Sequence, residues 1–134
     1  MNHETLIKEA LKARQMAYTP YSNFNVGAAV LTEDGKVYTG CNIENASFGA
    51  TNCAERTAIF KAVSEGSRTI TAIAIVGDLN SYTYPCGICR QVFLEFAKDE
   101  NIEIILAKNE KDYVVERLKD IIPGAFTKKD LNKE

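Results

Sequence analysis

Three thiols and one carboxyl stand in two short stretches, Cys53-Ala54-Glu55-Arg56 and Pro85-Cys86-Gly87-Ile88-Cys89-Arg90-Gln91. These are the parts of a catalytic zinc site. Structural zinc usually takes four protein ligands, whereas catalytic zinc takes three and leaves the fourth position to water. Glu55, two residues from Cys53, is placed to be the base for that water. Cys86 and Cys89, three apart at the start of a helix, share one face, so both sulfurs can meet one ion. Three thiolates on Zn²⁺ leave a net negative cluster, which weakens the metal's pull on water. Two helix N-termini, each worth about half a positive charge, and Arg56, one turn from Cys53, offset it.

Other readings of the same residues exist. Cys-x-x-Cys by itself also describes a redox pair or a thiol clip, and a structural zinc module would need a fourth protein ligand. Cys41 is the spare thiol, but its place in an alternating strand makes it a buried small hydrophobe. His3, near the chain's start, reads as solvated, and Arg90 and Gln91 receive no role of their own.

The elements that must position these groups follow from periodicity. Leu6, Ile7, Ala10, Leu11 and Met16 recur at helical spacing over residues 3–17. Pro20 breaks that pattern. Strands over 26–32 and 36–43 flank Asp34-Gly35, a hairpin signal. A helix is predicted over 53–65, capped by Thr51 or Asn52 and closed by Gly66, with Ala54, Ala58, Ile59, Ala62 and Val63 inward. Residues 69–76 are apolar on both faces and β-branched, which marks the middle of a sheet covered on each side. A helix over 86–98, a buried strand over 102–107, a last strand over 113–115 and a short helix over 117–122 complete the order. The tail after Phe126, with Lys128, Lys129 and Lys133, reads as a solvated end. Helix, strand, helix in succession brings both helix N-termini to one edge of the sheet, where α/β proteins place their sites.

Length and charge bound the rest. With 134 residues, one domain spanning 1–134 is expected. A net charge of −2 gives no general phosphate-binding surface, so nucleic acid is not an expected partner. Met1-Asn2-His3-Glu4 lacks the features of a signal peptide, and the longest apolar run, residues 70–76, is far short of the ~20 a bilayer requires. The expectation is a soluble cytoplasmic protein with no membrane partner.

Cys-Ala-Glu-Arg-Thr-Ala at 53–58 and Pro-Cys-Gly-x-Cys-Arg-Gln at 85–91 resemble the small cytidine deaminases, zinc enzymes with this thiol and glutamate pattern. Pro20-Tyr21-Ser22-x-Phe24-x-Val26-Gly27-Ala28, Gly40-Cys41-Asn42-Ile43-Glu44-Asn45-Ala46 and Pro123-Gly124-Ala125-Phe126 are similar to the same family, so the likeness covers nearly the whole chain. It implies a three-layer α/β/α fold with a mixed sheet of about five strands. It implies hydrolytic deamination of free cytidine and 2′-deoxycytidine in pyrimidine salvage, with one Zn²⁺ on Cys53, Cys86 and Cys89 and with Glu55 shuttling the proton. Phe24, Asn42, Glu44, Ala54 and Phe126 would contact the nucleoside. Asn42 and Glu44 would hold ribose hydroxyls, and a carboxylate there repels phosphate, which favours a free nucleoside. Small members of the family are homotetramers in which the aromatic matching Phe126 reaches a neighbouring subunit's site. Tyr84, Ile88 and Phe48 depart from the family's usual residues and bear on substrate range. A related aminopyrimidine, such as a nucleoside antibiotic, is the alternative substrate, and a non-enzymatic zinc module is the alternative class.

Overall fold

A computed structural model describes residues 1–132; Lys133, part of the expected solvated tail, lies outside the described residues. Five strands form one mixed sheet: β1 (Gly27–Thr32), β2 (Val37–Cys41), β3 (Ile70–Val76), β4 (Glu103–Ala107) and β5 (Tyr113–Arg117), in the order β2-β1-β3-β4-β5. Only β3 and β4 run parallel; the other neighbouring pairs are antiparallel. Ile70–Val76 is the middle strand, as its two-sided apolar pattern requires.

Alternation along the strands builds two cores of different grain. Ala28 and Val30 of β1, Ile73 and Ile75 of β3 and Ile104 and Leu106 of β4 face one side. There they meet α2 (Ala54–Ser64), α3 (Gly87–Phe96) and the short α4 (Leu118–Ile121), which contribute Ala58, Ile59, Phe93 and Leu118. The opposite face is mostly small: Ala29, Ala72, Ala74 and Ala107 receive Leu6, Ile7 and Ala10 of α1 (His3–Arg14). Burying Leu6 and Ile7 contributes about 1.5–3 kcal/mol each. Small residues let α1 approach closely, and at Gly27 an added β-carbon would lie 2.0 Å from the carbonyl oxygen of Ala10. Gly40 plays the same part for α2, since a β-carbon there would lie 2.6 Å from the Ala54 carbonyl oxygen.

Several local expectations change. Helix α1 ends at Arg14, so Met16 falls outside the helical register and is 76% exposed. His3 is not merely solvated: its Nε2 lies 3.0 Å from Glu103 Oε1, and its ring meets Tyr113 edge-on. Cys53, not Thr51 or Asn52, is the N-cap of α2. Cys41 is only half-buried, because it closes β2 at the edge of the sheet. The exposed tail is not irregular throughout, since Lys128–Asn132 forms a further short helix, α5, whose start is held by the Asp130 carboxylate accepting from the Thr127 N–H at 2.7 Å. Gly66, in the left-handed region at φ 96°, closes α2 as its position suggests.

The tight seat of α1 yields a stability test. Gly27→Ala, which forces a β-carbon into helix backbone, should lower the unfolding free energy by about 3 kcal/mol or more in urea titration. Gly87→Ala, whose β-carbon meets nothing within 4 Å, should be neutral or stabilising by about 0.5–1 kcal/mol. Equal effects at the two positions would contradict the close helix–strand approach.

Candidate metal centre and pocket

Two helices begin at the same end of the sheet, each with a cysteine as its N-cap. Cys53 (φ −74°, ψ 156°) opens α2 and Cys86 (φ −70°, ψ 169°) opens α3, and neither uses its side chain to cap its own helix. Both sulfurs are left free to meet, at 3.8 Å, and Cys89, one turn into α3, brings its own sulfur 3.4 Å from that of Cys86. All three sulfurs lie within 4.8 Å of one another. Four ligands arranged tetrahedrally at a zinc–sulfur distance of about 2.3 Å stand about 3.8 Å apart, so the spacing fits one zinc ion. It is far too long for a disulfide, whose sulfurs are about 2.0 Å apart. The fourth thiol, Cys41, is not part of the cluster.

The electrostatics favour thiolate at Cys53. Among the thiols themselves, Cys53 is pushed down to about 5, first by the hydrogen bond from Cys89 and then by Arg56, and the Cys89 thiol is pushed up because it is the donor in that pair. Arg56 Nη2 donates to Cys53 Sγ at 3.2 Å. Among the described residues its Nε is buried without a hydrogen-bond partner. The N-terminal ends of α2 and α3 add their partial positive charge.

Glu55 lies in the first turn of α2 and is 5% exposed. Burial pushes its carboxyl up to about 7. A carboxyl poised there can both accept and return a proton near neutral pH.

A pocket of about 280 Å³ opens beside these groups, lined by Cys53, Ala54, Glu55 and Cys86 together with Phe24, Val26, Asn42 and Tyr84. Phe24 and Thr83 meet over Gly77, where a β-carbon would lie 2.4 Å from Thr83 Oγ1 and 2.9 Å from Phe24 Cε1. Asn42 fixes the Phe24 loop at both ends of its amide: Oδ1 accepts from the Val26 N–H at 2.9 Å and Nδ2 donates to the Phe24 carbonyl at 2.7 Å.

Glu44 does not line this pocket. It borders a neighbouring hollow with Tyr21, Ser22 and Phe48, and its carboxylate accepts the N–H groups of Tyr21 and Ser22 at 3.0 and 3.1 Å and the Ser22 hydroxyl. Phe126 does not line the pocket either; it is 59% exposed, and its carbonyl accepts from Gln91.

Sequence reasoning missed Ser22, Val26 and Thr83 as lining residues. Ser22 and Val26 both lie in the run around Phe24 that resembles the family, which was the available signal; nothing in the sequence marked Thr83. Tyr84, singled out only as a departure, lines the pocket while its hydroxyl donates to Glu116 on β5 at 2.7 Å. Arg90 and Gln91 also do more than fill the run, each binding backbone carbonyls of the C-terminal segment.

Comparison with known proteins places the chain. Residues 1–105 match the family described as the cytidine and deoxycytidylate deaminase zinc-binding region. A cytidine deaminase of Halalkalibacterium halodurans is 51% identical over 132 residues, covering 98% of this chain and 99% of its own. One from Sporosarcina psychrophila is 50% identical over 132 residues, covering 98% and 96%. The crystal structure of cytidine deaminase from Burkholderia pseudomallei superposes with a TM-score of 0.87 at 50% identity, covering 94% of this chain and 100% of that one. A mixed five-stranded sheet, a thiol cluster spaced for zinc and these likenesses over nearly the full length lead to one conclusion: the chain belongs to the zinc-binding cytidine deaminase family.

Proposed function

We propose that the protein catalyses the hydrolytic deamination of free cytidine and 2′-deoxycytidine, giving uridine and 2′-deoxyuridine with release of ammonia. The observation that carries this reading is the buried Glu55 carboxyl at the edge of a pocket whose wall includes Cys53 and Cys86, two members of a three-thiol cluster spaced for zinc, in a chain of the deaminase family. The cofactor is one zinc ion per subunit, and Cys53, Cys86 and Cys89 would hold it. Bound there, zinc supplies the Lewis acidity that makes a water acidic near neutral pH.

The chain's own groups do the rest. Glu55 takes a proton from the water as the water oxygen bonds to C4 and passes it to N3 of the pyrimidine; it then takes the remaining hydroxyl proton and delivers it to the amine, so that the C4–N bond breaks, the C4 carbonyl forms and ammonia leaves. Its burial supports both directions of transfer, because the carboxyl is neither a strong acid nor permanently charged. Arg56 holds the Cys53 thiolate and spreads its charge. Phe24 packs on the base, and Ala54 presents the backbone beside it.

Asn42 and Glu44 are proposed to reach the ribose hydroxyls. Each already orders the Tyr21–Val26 loop, and an amide or carboxylate retains further lone pairs or N–H groups for a ligand. The negative charge of Glu44, whose pKa is lowered chiefly by the Ser22 hydroxyl, disfavours a phosphorylated substrate.

The finer setting is part of the proposal: residues 1–134 as one deaminase domain, a cytoplasmic homotetramer, and a role in pyrimidine salvage. Phe126 would complete a neighbouring subunit's site. What supports this is its exposure outside its own chain's pocket, together with exposed Tyr18, Tyr21, Ile43 and Phe48, of which Tyr21 and Phe48 border the hollow beside Glu44. Among the described residues no helix is long and apolar enough to cross a membrane.

Two measurements test the catalytic reading. Glu55→Gln should keep its zinc but lose about 10²–10⁴-fold in the rate at which cytidine's ultraviolet absorbance falls; a rate near the original would remove Glu55 from the mechanism. The chelated protein provides a second test, through pH. A carboxyl raised from 4.5 to about 7 in the folded state stabilises fully below pH 4.5, and that contribution is lost as pH rises through 7. At 1.36 kcal/mol per unit the loss is about 3 kcal/mol. Denaturant titrations of chelated Glu55→Gln should therefore lack this decline relative to the chelated parent, and parallel pH profiles would contradict the burial assigned to Glu55.

A further inference from the structure

Arg90 and Gln91 follow the last thiol directly, and the chemistry above uses neither. Arg90 is half-buried, and its guanidinium spans two backbone carbonyls: Nε donates to Pro85 O at 2.8 Å and Nη1 to Ile121 O at 2.6 Å. Its own backbone N–H donates to Cys86 O at 3.0 Å. One residue thus grips the peptide groups on both sides of the Cys86 α-carbon. This matters because Cys86 is exposed, extended and free of any side-chain capping bond, so its sulfur does nothing to hold the turn. The far anchor, Ile121, ends α4, which is seated in the core through fully buried Leu118. Hydrogen bonds from a guanidinium are roughly twice as strong as neutral ones, and only arginine can hold two carbonyls in a fixed fork.

We propose that Arg90 is a positioning residue for the metal: it ties the Pro85–Cys86 turn to the end of α4, so that the Cys86 sulfur stands ready beside Cys53 and Cys89, and zinc affinity depends on a contact 31 residues further along the chain. The ordering of the turn is then complete before the ion binds, which removes that cost from binding. Groups that orient metal ligands in this way are typically worth 10–100-fold in affinity. Gln91 is the internal contrast. Among the described residues its exposed side chain donates only to Phe126 O at 2.9 Å and makes no hydrogen bond to the ligand turn, so its loss leaves the thiols where they are.

The proposal rests on Cys86 being a zinc ligand, and the test separates the two. Zinc dissociation constants of Arg90→Lys, Arg90→Gln and Gln91→Ala are measured by competition with a chromophoric chelator, alongside thermal unfolding of each chelated protein. Zinc binding should weaken about 10–100-fold in Arg90→Gln and by a smaller but clear factor in Arg90→Lys, with Gln91→Ala within twofold of the parent. If Arg90→Gln does not fold, the lysine variant decides. Arg90 variants that bind zinc within twofold of the parent while unfolding earlier would reduce Arg90 to a structural tie and overturn the proposal, as would an equal loss in Gln91→Ala. Cobalt substitution reads the underlying assignment: Cys86→Ala should diminish the sulfur-to-cobalt charge-transfer band, and an unchanged band would overturn both the ligand assignment and the role of Arg90.

Discussion

Three sulfurs held within 4.8 Å of one another repel one another as soon as they ionise, and the molecule is arranged to make that crowding tolerable. Cys53 and Cys86 are N-caps, so each sulfur stands in the positive field of its own helix start, and Arg56 donates into the cluster from behind. The helices can present their first residues at one place only because they pack on the same face of the sheet, side by side against Ile73, Ile75 and Ile104. Gly40 allows α2 to seat against β2, and Arg90 fixes the start of α3 to the end of α4. Electrostatic strain at the cluster is thus balanced by Arg56, by the two helix starts and by the packing that holds those helices together.

The same geometry explains why the carboxyl is where it is. Glu55 follows the N-cap cysteine by two residues, so the first turn of α2 carries it inward, below the pocket and away from water. Desolvation then raises its pKa while the Cys53 thiol next to it is pushed the other way. Two titratable groups with opposite shifts in one pocket mark acid–base chemistry. Around them the Tyr21–Val26 loop is stitched in place by Asn42 and Glu44, so residues that resemblance assigns to the ribose also build the wall that receives the base.

Much of this was legible in the sequence because it is carried by local pattern. The two-sided apolar run placed β3 at the centre, Asp34-Gly35 marked the hairpin, and the thiol spacing with Glu55 indicated zinc. What escaped depends on contacts far apart in the chain. Met16 fits a helical stripe, but the helix stops two residues earlier. Cys41 alternates like a core residue, yet β2 is an edge strand. His3 acquires a partner only when Glu103, a hundred residues on, is folded beside it. Cys53 displaced the conventional capping residues because its position is dictated by the cluster rather than by cap chemistry. Arg90 lay inside a recognisable run, but its function is a bond to a carbonyl, and carbonyls carry no residue identity to read.

X-ray absorption at the zinc edge of the purified holoprotein tests the central claim most directly. Three sulfur ligands at about 2.3 Å with one oxygen at about 2.0–2.2 Å is the expected coordination. Four sulfurs at the metal, or fewer than three, would contradict a catalytic site built from two capped helix starts.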